Sequence, residues 1–159
     1  MYKISELLVG TKIIACGHCL DLIWFHFMEG NELYCLHCQC LVRVFHEGRM
    51  IASSNDVYDP QSTFEGDIDS WDWSDNPGKT LFDEQIRRSL KKVLPLNVIS
   101  VNILDCMDII LRLDDGYLIE IRVVTLTNNE SWRFFNHEKF NTMTYVCSGT
   151  ESYADGLEL

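Results

Sequence analysis

The sequence predicts an α+β fold: a mostly antiparallel β-sheet from two similar β-meanders, with one main α-helix at about residues 80–93 packed on it. Three observations predict it: apolar and polar residues alternate in two regions, apolar residues show helical spacing in one segment, and a short motif occurs in both regions. The chain has 159 residues, 47% hydrophobic and 23% charged, which suits a single globular domain over residues 1–159.

The first strand-rich region covers residues 11–53. Its first part is rich in Ile, Leu, Trp and Phe, and turn residues at 29–31 lead into a run over 33–45 that alternates with a period of two. A second turn at 46–49 leads into a further strand. The alternation places Leu36, Cys38, Cys40, Val42 and Val44 on one face and Cys35, His37, Gln39 and Arg43 on the other.

Residues 53–78, called the acidic connection below, differ in composition from both of their neighbours. They include two of the three prolines and no Lys or Arg. A long polar segment of this kind is typical of a surface loop, and we expect this one to lie on the surface. Its acids are Asp56, Asp59, Glu65, Asp67, Asp69, Asp72 and Asp75.

The main helix is predicted from its caps as well as from its spacing. Thr80 suits the N-cap, Asp83 places a negative charge in the first turn, and Pro95 ends the helix. Basic residues follow towards the C-terminus, as the helix dipole favours. The buried face is expected to hold Phe82, Ile86, Leu90 and Val93.

The second strand-rich region follows the helix, and its alternation separates a core face from a water face. A polar tail over 148–159 is expected to be frayed. The predicted strands cover residues 98–103, 107–113, 117–126, 132–135 and 144–147. Ile109, Leu111, Leu113, Ile119, Ile121 and Val123 are expected to face the core, and Asp108, Arg112, Glu120 and Arg122 to face water.

A short motif occurs in both strand-rich regions. Cys19-Leu20-Asp21-Leu22-Ile23 is similar to Cys106-Met107-Asp108-Ile109-Ile110, and each is followed at nearly the same interval by an acid and a glycine. This similarity predicts that two related β-meanders flank the helix.

Charge and cysteine usage limit the partners and the compartment. The formal net charge of −11 argues against binding to nucleic acid or to anionic membranes and favours a basic protein partner. The N-terminus lacks the apolar run of a secretory signal, and the seven cysteines are an odd number, so we expect reduced thiols in a cytoplasmic protein. The oligomeric state stays open.

The sharpest motif is a pair of C-x-x-C sequences, Cys16 with Cys19 and Cys35 with Cys38, separated by fifteen residues. This spacing is typical of a structural zinc site. Two features favour buried free thiols instead: the period-two alternation points Cys35 and Cys38 to opposite faces, and the glycine usual after each pair is missing. We therefore expect no metal and no cofactor, with zinc as the alternative.

Catalytic motifs are not evident in the sequence. No nucleophile elbow, phosphate-binding glycine loop or helical histidine pair occurs. His26 and His37 have no nucleophile or carboxylate at a recognisable spacing, which is more typical of structural histidines. We expect a non-enzymatic protein without catalytic residues.

The acidic connection contains a segment suited to protein binding, because it joins two tryptophans to a run of acids. Large aromatic side chains commonly anchor interfaces, and a negative field attracts a basic surface. The alternative is that both tryptophans fix the long loop onto the body of the protein. The candidate partner-binding residues are Asp67, Asp69, Trp71, Asp72, Trp73 and Asp75.

Three segments carry a resemblance to a family: residues 36–44 (Leu-His-Cys-Gln-Cys-Leu-Val-Arg-Val), 52–60 and 130–135 (Glu-Ser-Trp-Arg-Phe-Phe). Together they resemble a group of small bacterial proteins of uncharacterised function, and the likeness spans most of the chain. That group usually has an apolar residue at the position of Cys38. Small, acidic proteins with few motifs also resemble the immunity proteins encoded beside polymorphic or contact-dependent toxins.

The resemblance implies a protein that binds and blocks one cognate toxin and carries no catalytic residues. The expected function is therefore a protein-binding protein, and in its specific form an immunity protein against a basic toxin. The alternative is a binding module stabilised by zinc at Cys16, Cys19, Cys35 and Cys38.

Overall fold

A computed structural model describes residues 2–139, 143–149 and 151–155. In these residues one eleven-stranded sheet accounts for most of the regular structure. The strands are β1 (Lys12–Cys19), β2 (Leu22–Glu29), β3 (Glu32–Cys38), β4 (Leu41–His46), β5 (Arg49–Ser53), β6 (Leu96–Ile103), β7 (Ile109–Leu113), β8 (Tyr117–Arg122), β9 (Glu130–Asn136), β10 (Thr144–Ser148) and β11 (Glu151–Asp155).

The strand order across the sheet is β11-β10-β9-β3-β2-β1-β6-β7-β8-β4-β5. Each pair of neighbours in this order is antiparallel. The predicted mostly antiparallel α+β fold is therefore confirmed.

Both halves of the sheet face one hydrophobic core. Phe25 and Leu36 from one half, Leu111 and Ile119 from the other, and Phe82 from a helix are all fully buried in the same cluster. Only two residue pairs join β1 to β6 at the centre of the sheet. The sheet therefore bends at this junction, which lets both inner faces bury their apolar side chains against each other.

The predicted strand over 33–45 is two strands, which is a correction. The run is interrupted at Gln39 and Cys40: β3 pairs with β2 and β9, whereas β4 pairs with β8 and β5. The alternation continues through the break, because Leu36, Cys38, Val42 and Val44 are all buried in the core. The chain thus crosses from one half of the bent sheet to the other while keeping the same face inward.

Two hairpin turns have the backbone that tight hairpins need. Between β4 and β5, Glu47 and Gly48 have φ of 49° and 78°, and between β7 and β8, Asp115 and Gly116 have φ of 53° and 73°. Two consecutive residues with positive φ form the turn whose twist matches antiparallel strands. Glycine takes the second position because it has no Cβ to oppose this conformation.

The main helix lies where it was predicted but is interrupted. α2 (Leu81–Arg88) begins after Thr80, whose side chain accepts a hydrogen bond from the Asp83 amide, and α3 (Leu90–Val93) follows a break at Ser89. Phe82, Ile86 and Leu90 are buried as expected. Val93 is 39% exposed, because the break at Ser89 rotates the last turn away from the buried face.

A second helix, α1 (Tyr2–Leu8), was not predicted. Ile4 and Leu8 lie one helical turn apart and are both buried in the core. Seven residues provide too few repeats for a recognisable period, so this helix depends on tertiary packing.

The expected frayed tail is wrong for the residues that can be compared. Ser148 ends β10, and Glu151–Asp155 form β11, which pairs with β10 along its full length. Without β11, β10 would be an edge strand with unpaired backbone groups. Such groups can pair with a further strand even when the side chains of that strand are polar. Residues 150 and 156–159 of the predicted tail lie outside the described residues.

The predicted core face of the second region is confirmed, but its water face is not fully hydrated. Asp108 is 7% exposed, and its carboxylate accepts hydrogen bonds from Arg122 (2.8 Å) and from the Val123 amide (2.7 Å). Arg122 also pairs with Glu120 at 3.2 Å, and Glu120 pairs with Arg43 at 2.5 Å. These charges lie in a row from the residue before β7 across β8 to β4, and each one neutralises its neighbour.

Trp132 connects the two halves of the sheet, which yields a test of the fold. Its indole Nε1 donates a hydrogen bond of 2.9 Å to the carbonyl oxygen of Met107, and its side chain is fully buried. We expect Trp132→Phe to lower the free energy of unfolding by about 2–3 kcal/mol, because it leaves a cavity and an unpaired buried carbonyl. Urea unfolding followed by circular dichroism measures this loss.

The matched control is Trp24→Phe, because Trp24 is only half-buried on the outer face. A loss below about 1 kcal/mol is expected for it. Equal losses in the two variants would contradict the assigned role of Trp132.

Candidate functional site

The acidic connection is closed at its base by the backbone. The Leu81 amide donates to the carbonyl oxygen of Asp59 (2.8 Å), the Gln61 amide donates to that of Lys79 (3.0 Å), and Pro60 forms an isolated bridge with Thr80. The two ends of the loop therefore meet, and the intervening residues project from the protein as a loop with a defined base.

A buried carboxylate in α2 fixes the near side of this loop. Glu84 is 4% exposed and accepts two hydrogen bonds of 2.6 Å from Ser62, one from its amide and one from its hydroxyl. Arg88 pairs with the same carboxylate at 2.6 Å. The bonds from Ser62 lower the pKa of Glu84, so it stays ionised. Sequence reasoning missed Glu84, because its partner lies 22 residues away.

Both predicted tryptophans are half-buried and contact aromatic residues of the acidic connection. The Trp71 indole Nε1 donates a hydrogen bond of 3.0 Å to the carbonyl oxygen of Tyr58, and its ring lies edge-to-face with Phe64 at 5.1 Å. Trp73 lies edge-to-face with Tyr58 at 5.0 Å. These contacts lie within the acidic connection and order it, while part of each indole stays exposed.

The four predicted aspartates, Asp67, Asp69, Asp72 and Asp75, are all exposed. Asp67 accepts a hydrogen bond from the Asp69 amide, and Asp72 accepts two from Ser74. The bonds from Ser74 lower the pKa of Asp72. Among the described residues, none of the carboxylates in the acidic connection forms an ion pair.

A histidine of β1 joins the sheet to the start of α2. His18 Nε2 lies 3.0 Å from an oxygen of Asp83, and His18 Nδ1 lies 2.7 Å from the carbonyl oxygen of Leu20. Both partners are acceptors, so the protonated ring can donate from both nitrogens at once. A ring with both nitrogens protonated and occupied cannot act as a general base.

The ionisation of this pair follows from its contacts. The hydrogen bond with Asp83 raises the pKa of His18 by more than burial lowers it. Burial alone would raise the pKa of Asp83, but hydrogen bonds from His18 and Thr80 hold it at about 2. Each group thus stabilises the charged form of the other.

Two clefts include residues at the turn between β1 and β2 in their lining. The first, called the His18 cleft, has a volume of about 340 Å³ and is lined by His18, Leu20, Trp73, Pro77 and Asp83. The second, called the Asn55 cleft, has a volume of about 190 Å³ and is lined by Asp21, Gln39, Asn55, Tyr58 and Val124. Of these residues only Trp73 was a predicted site residue, because the clefts form from segments distant in sequence.

The thiols of the C-x-x-C pairs are separated by strand geometry. Cys16 and Cys38 are buried in the core, Cys19 is exposed, and Cys35 is buried but lies outside the core cluster. In the described residues no group of three or more His, Cys, Asp or Glu side chains is arranged to hold a metal ion. Burial raises the pKa of Cys16 and of Cys35 to about 11. The geometry thus gives no support to the zinc alternative.

The two histidines weighed as catalytic bases lie on the outer face of the sheet. His26 contacts Trp24 with ring centroids 4.6 Å apart, and His37 contacts Phe135 edge-to-face at 5.0 Å. Burial lowers the pKa of both histidines. The structure places them in aromatic contacts.

Comparison of the chain with protein-family models, with curated proteins and with solved structures found no match. In the described residues, none of the helices is long and apolar enough to cross a membrane.

The His18–Asp83 pair predicts how stability depends on pH. The raised pKa of His18 contributes stability that is complete below about pH 6.5 and is lost as the pH rises through the folded-state pKa. The lowered pKa of Asp83 contributes stability that is complete above about pH 4 and is lost as the pH falls towards 2. Urea unfolding midpoints between pH 5 and pH 8.5 measure the His18 contribution.

The comparison variant is His18→Gln. We expect it to lower the unfolding free energy at pH 6 by about 1–2 kcal/mol and to weaken the decline at higher pH, because it has no titrating ring. An equally steep decline in both proteins would show that His18 is not its source.

Proposed function

We propose that this protein binds a basic protein partner through its acidic connection. One observation carries the proposal: Asp67, Asp69, Asp72 and Asp75 project into solvent from a fixed loop without a cationic partner among the described residues. The net charge of −11 adds to the same field. Such a field accelerates association with a basic surface and selects against acidic ones.

The rigidity of the loop supports binding rather than simple hydration. Its base is closed by backbone hydrogen bonds, Glu84 holds Ser62, and Trp71 is bonded to Tyr58. A surface that is already ordered loses less conformational entropy when a partner binds. The half-exposed side chains of Trp71 and Trp73 can then add apolar contact area beside the exposed acids.

In its specific form, the proposal is that the partner is a toxin and that this protein is its immunity protein. The resemblance of residues 36–44, 52–60 and 130–135 to a group of small bacterial proteins favours this form, as does the acidic surface. An inhibitor of this kind acts by covering its target and needs no catalytic residues. Cytoplasmic location is part of the same proposal.

We also propose that the two β-meanders are related by an internal duplication. Two features support it: β1-β2-β3 and β6-β7-β8 are adjacent antiparallel triplets, and the matching motifs place Leu20 and Met107 at positive φ, 53° and 67°. A positive φ is uncommon for residues of this size. The turns have diverged, since Trp132 donates a hydrogen bond to Met107 whereas Leu20 is 54% exposed and lines the His18 cleft.

A charge-neutral variant tests the binding surface. Asn replacing all four aspartates keeps the local hydrogen bonds but removes four charges. We expect it to reduce capture of the basic partner from a lysate of the source organism by at least about tenfold, measured by quantitative mass spectrometry. Raising the salt from about 0.1 M to about 1 M, which shortens the Debye length from about 10 Å to about 3 Å, should have the same effect on the wild type.

The matched control removes four exposed acids elsewhere, with Glu6→Gln, Glu29→Gln, Glu47→Gln and Asp105→Asn. This variant has the same net charge as the first and should capture the partner as the wild type does. Equal losses in both variants would mean that net charge acts without a specific surface. Capture of the same proteins by the wild type, the variant with four Asn residues and the control variant would overturn the proposal.

The immunity function has its own test in growing cells. Co-expression of this protein with the toxin encoded beside it should restore growth, because a bound toxin cannot reach its target. The variant with four Asn residues should fail to restore growth at equal expression level, judged by immunoblot. Growth that is no better with the wild-type protein than without it would contradict the immunity function and leave the binding test standing.

A further inference from the structure

A third cleft, called the Arg112 cleft, lies beside the two tight hairpin turns. Its lining includes Gly48 and Gly116 of these turns and side chains from β4, β6, β7 and β8, but no residue of the acidic connection. Its volume is about 490 Å³. Sites for small molecules usually measure about 300–1,000 Å³, so this cleft is large enough for one.

The strands place apolar side chains and one arginine in a row across this cleft. Phe45 on β4 lies opposite Leu118 on β8, and Leu118 lies opposite Arg112 on β7. On β6 the register shifts at Ile99, whose side chain is 57% exposed and lines the same cleft. The cleft thus combines an apolar wall with a single guanidinium.

Arg112 is an exposed cation whose neighbouring acids are already bonded. On β8, both carboxylate oxygens of Glu120 pair with other arginines. Just beyond β7, both carboxylate oxygens of Asp114 accept hydrogen bonds from Asn97. In the described part of the chain Arg112 forms no ion pair. Its guanidinium can therefore receive an anion without giving up an internal ion pair.

The turns that frame the cleft are joined to each other. The Glu47 amide donates a hydrogen bond of 3.1 Å to the carbonyl oxygen of Gly116. The His46 ring stacks on Tyr117, with ring centroids 4.3 Å apart. A site that is ordered before its ligand arrives loses less conformational entropy on binding.

Two acids of the turns limit which anion the cleft can hold. Burial and the charge of Asp115 raise the pKa of Tyr117, so Asp115 acts at the turn end of the cleft, and Glu47 belongs to the other turn. Neither acid lines the cleft. Both would repel a second anionic group on a ligand, so a single carboxylate on an apolar body is the charge pattern that fits.

The other two clefts have the opposite charge pattern. Asp83 lines the His18 cleft and Asp21 lines the Asn55 cleft, and neither cleft has an arginine or a lysine among its described lining residues. Among the three clefts, charge complementarity with an anion therefore selects the Arg112 cleft.

We propose that the Arg112 cleft binds a small apolar monocarboxylate. Its carboxylate accepts hydrogen bonds from the Arg112 guanidinium, and its apolar body lies against Phe45 and Ile99. Arginine suits this ligand, because its planar fork can donate two parallel hydrogen bonds to one carboxylate. The net charge of −11 opposes anions in general, so the apolar wall must supply part of the affinity.

Three ligands separate the carboxylate from the apolar body. 3-Phenylpropionate, its neutral amide 3-phenylpropanamide, and acetate are titrated into the ¹⁵N-labelled full chain, and NMR follows the Arg112 Nε–H and the amides of Gly48 and Gly116. We expect saturable shifts at these positions with 3-phenylpropionate, and binding at least about tenfold weaker for the amide and for acetate. Equally tight binding of either comparison ligand, or shifts with 3-phenylpropionate that do not saturate, overturns the proposal.

A matched pair of variants tests the role of Arg112. Arg112→Gln removes the cation from the cleft, and Arg87→Gln removes the same charge from an exposed position on α2. We expect Arg112→Gln to weaken binding of 3-phenylpropionate at least about tenfold, and Arg87→Gln to change it by no more than about twofold. Both side chains are exposed, so both variants should fold, which amide spectra check.

The outcomes of this pair are distinguishable. Weaker binding in Arg112→Gln alone supports the ligand site as proposed. Equal binding in both variants, or equal losses in both, would show that the carboxylate is not held by Arg112 and overturns the proposal. Either result leaves the proposed function standing, because no residue of the acidic connection lines this cleft.

Discussion

The Asp83 carboxylate is the contact on which the arrangement of the candidate site depends. It belongs to the capping box of α2 with Thr80, and it binds His18 at the end of β1. These bonds fix the start of the helix against the sheet. Because the acidic connection runs directly into Thr80, the same bonds also determine where Trp73 lies relative to the β1–β2 turn.

The ion pairs of the sheet and the acids of the acidic connection differ in how far their charges are neutralised. Arg43 on β4 pairs with Glu120 on β8, Arg122 on β8 pairs with Asp108 beside β7, and on β9 Arg133 pairs with Glu130. Each of these ion pairs joins one positive and one negative charge, so the pairs add little to the electrostatic field around the protein. The acids of the acidic connection, in contrast, form no ion pair among the described residues.

The bend in the sheet determines what each face can do. The inner face packs into the hydrophobic core, and it takes Cys16 and Cys38 with it. The outer face takes Cys35, together with His26 and His37. The four cysteines have the spacing of a zinc ribbon, but their thiols lie in separate environments. A strand places residues three apart on opposite faces, whereas the turn of a zinc site brings them together.

The sequence alone determined the features that depend on neighbours along the chain. These are the faces of the strands, the turns at Glu47-Gly48 and Asp115-Gly116, the Thr80 cap and the exposure of the acidic connection. Only the tertiary structure decided the features that join distant segments: the break at Gln39, the packing of α1, the burial of Asp108 and Glu84, and the clefts beside Leu20. Local sequence patterns indicate the backbone period and the helix caps. A buried ion pair or a cleft depends instead on which distant segments meet in three dimensions. No local period in the sequence indicates which segments will meet.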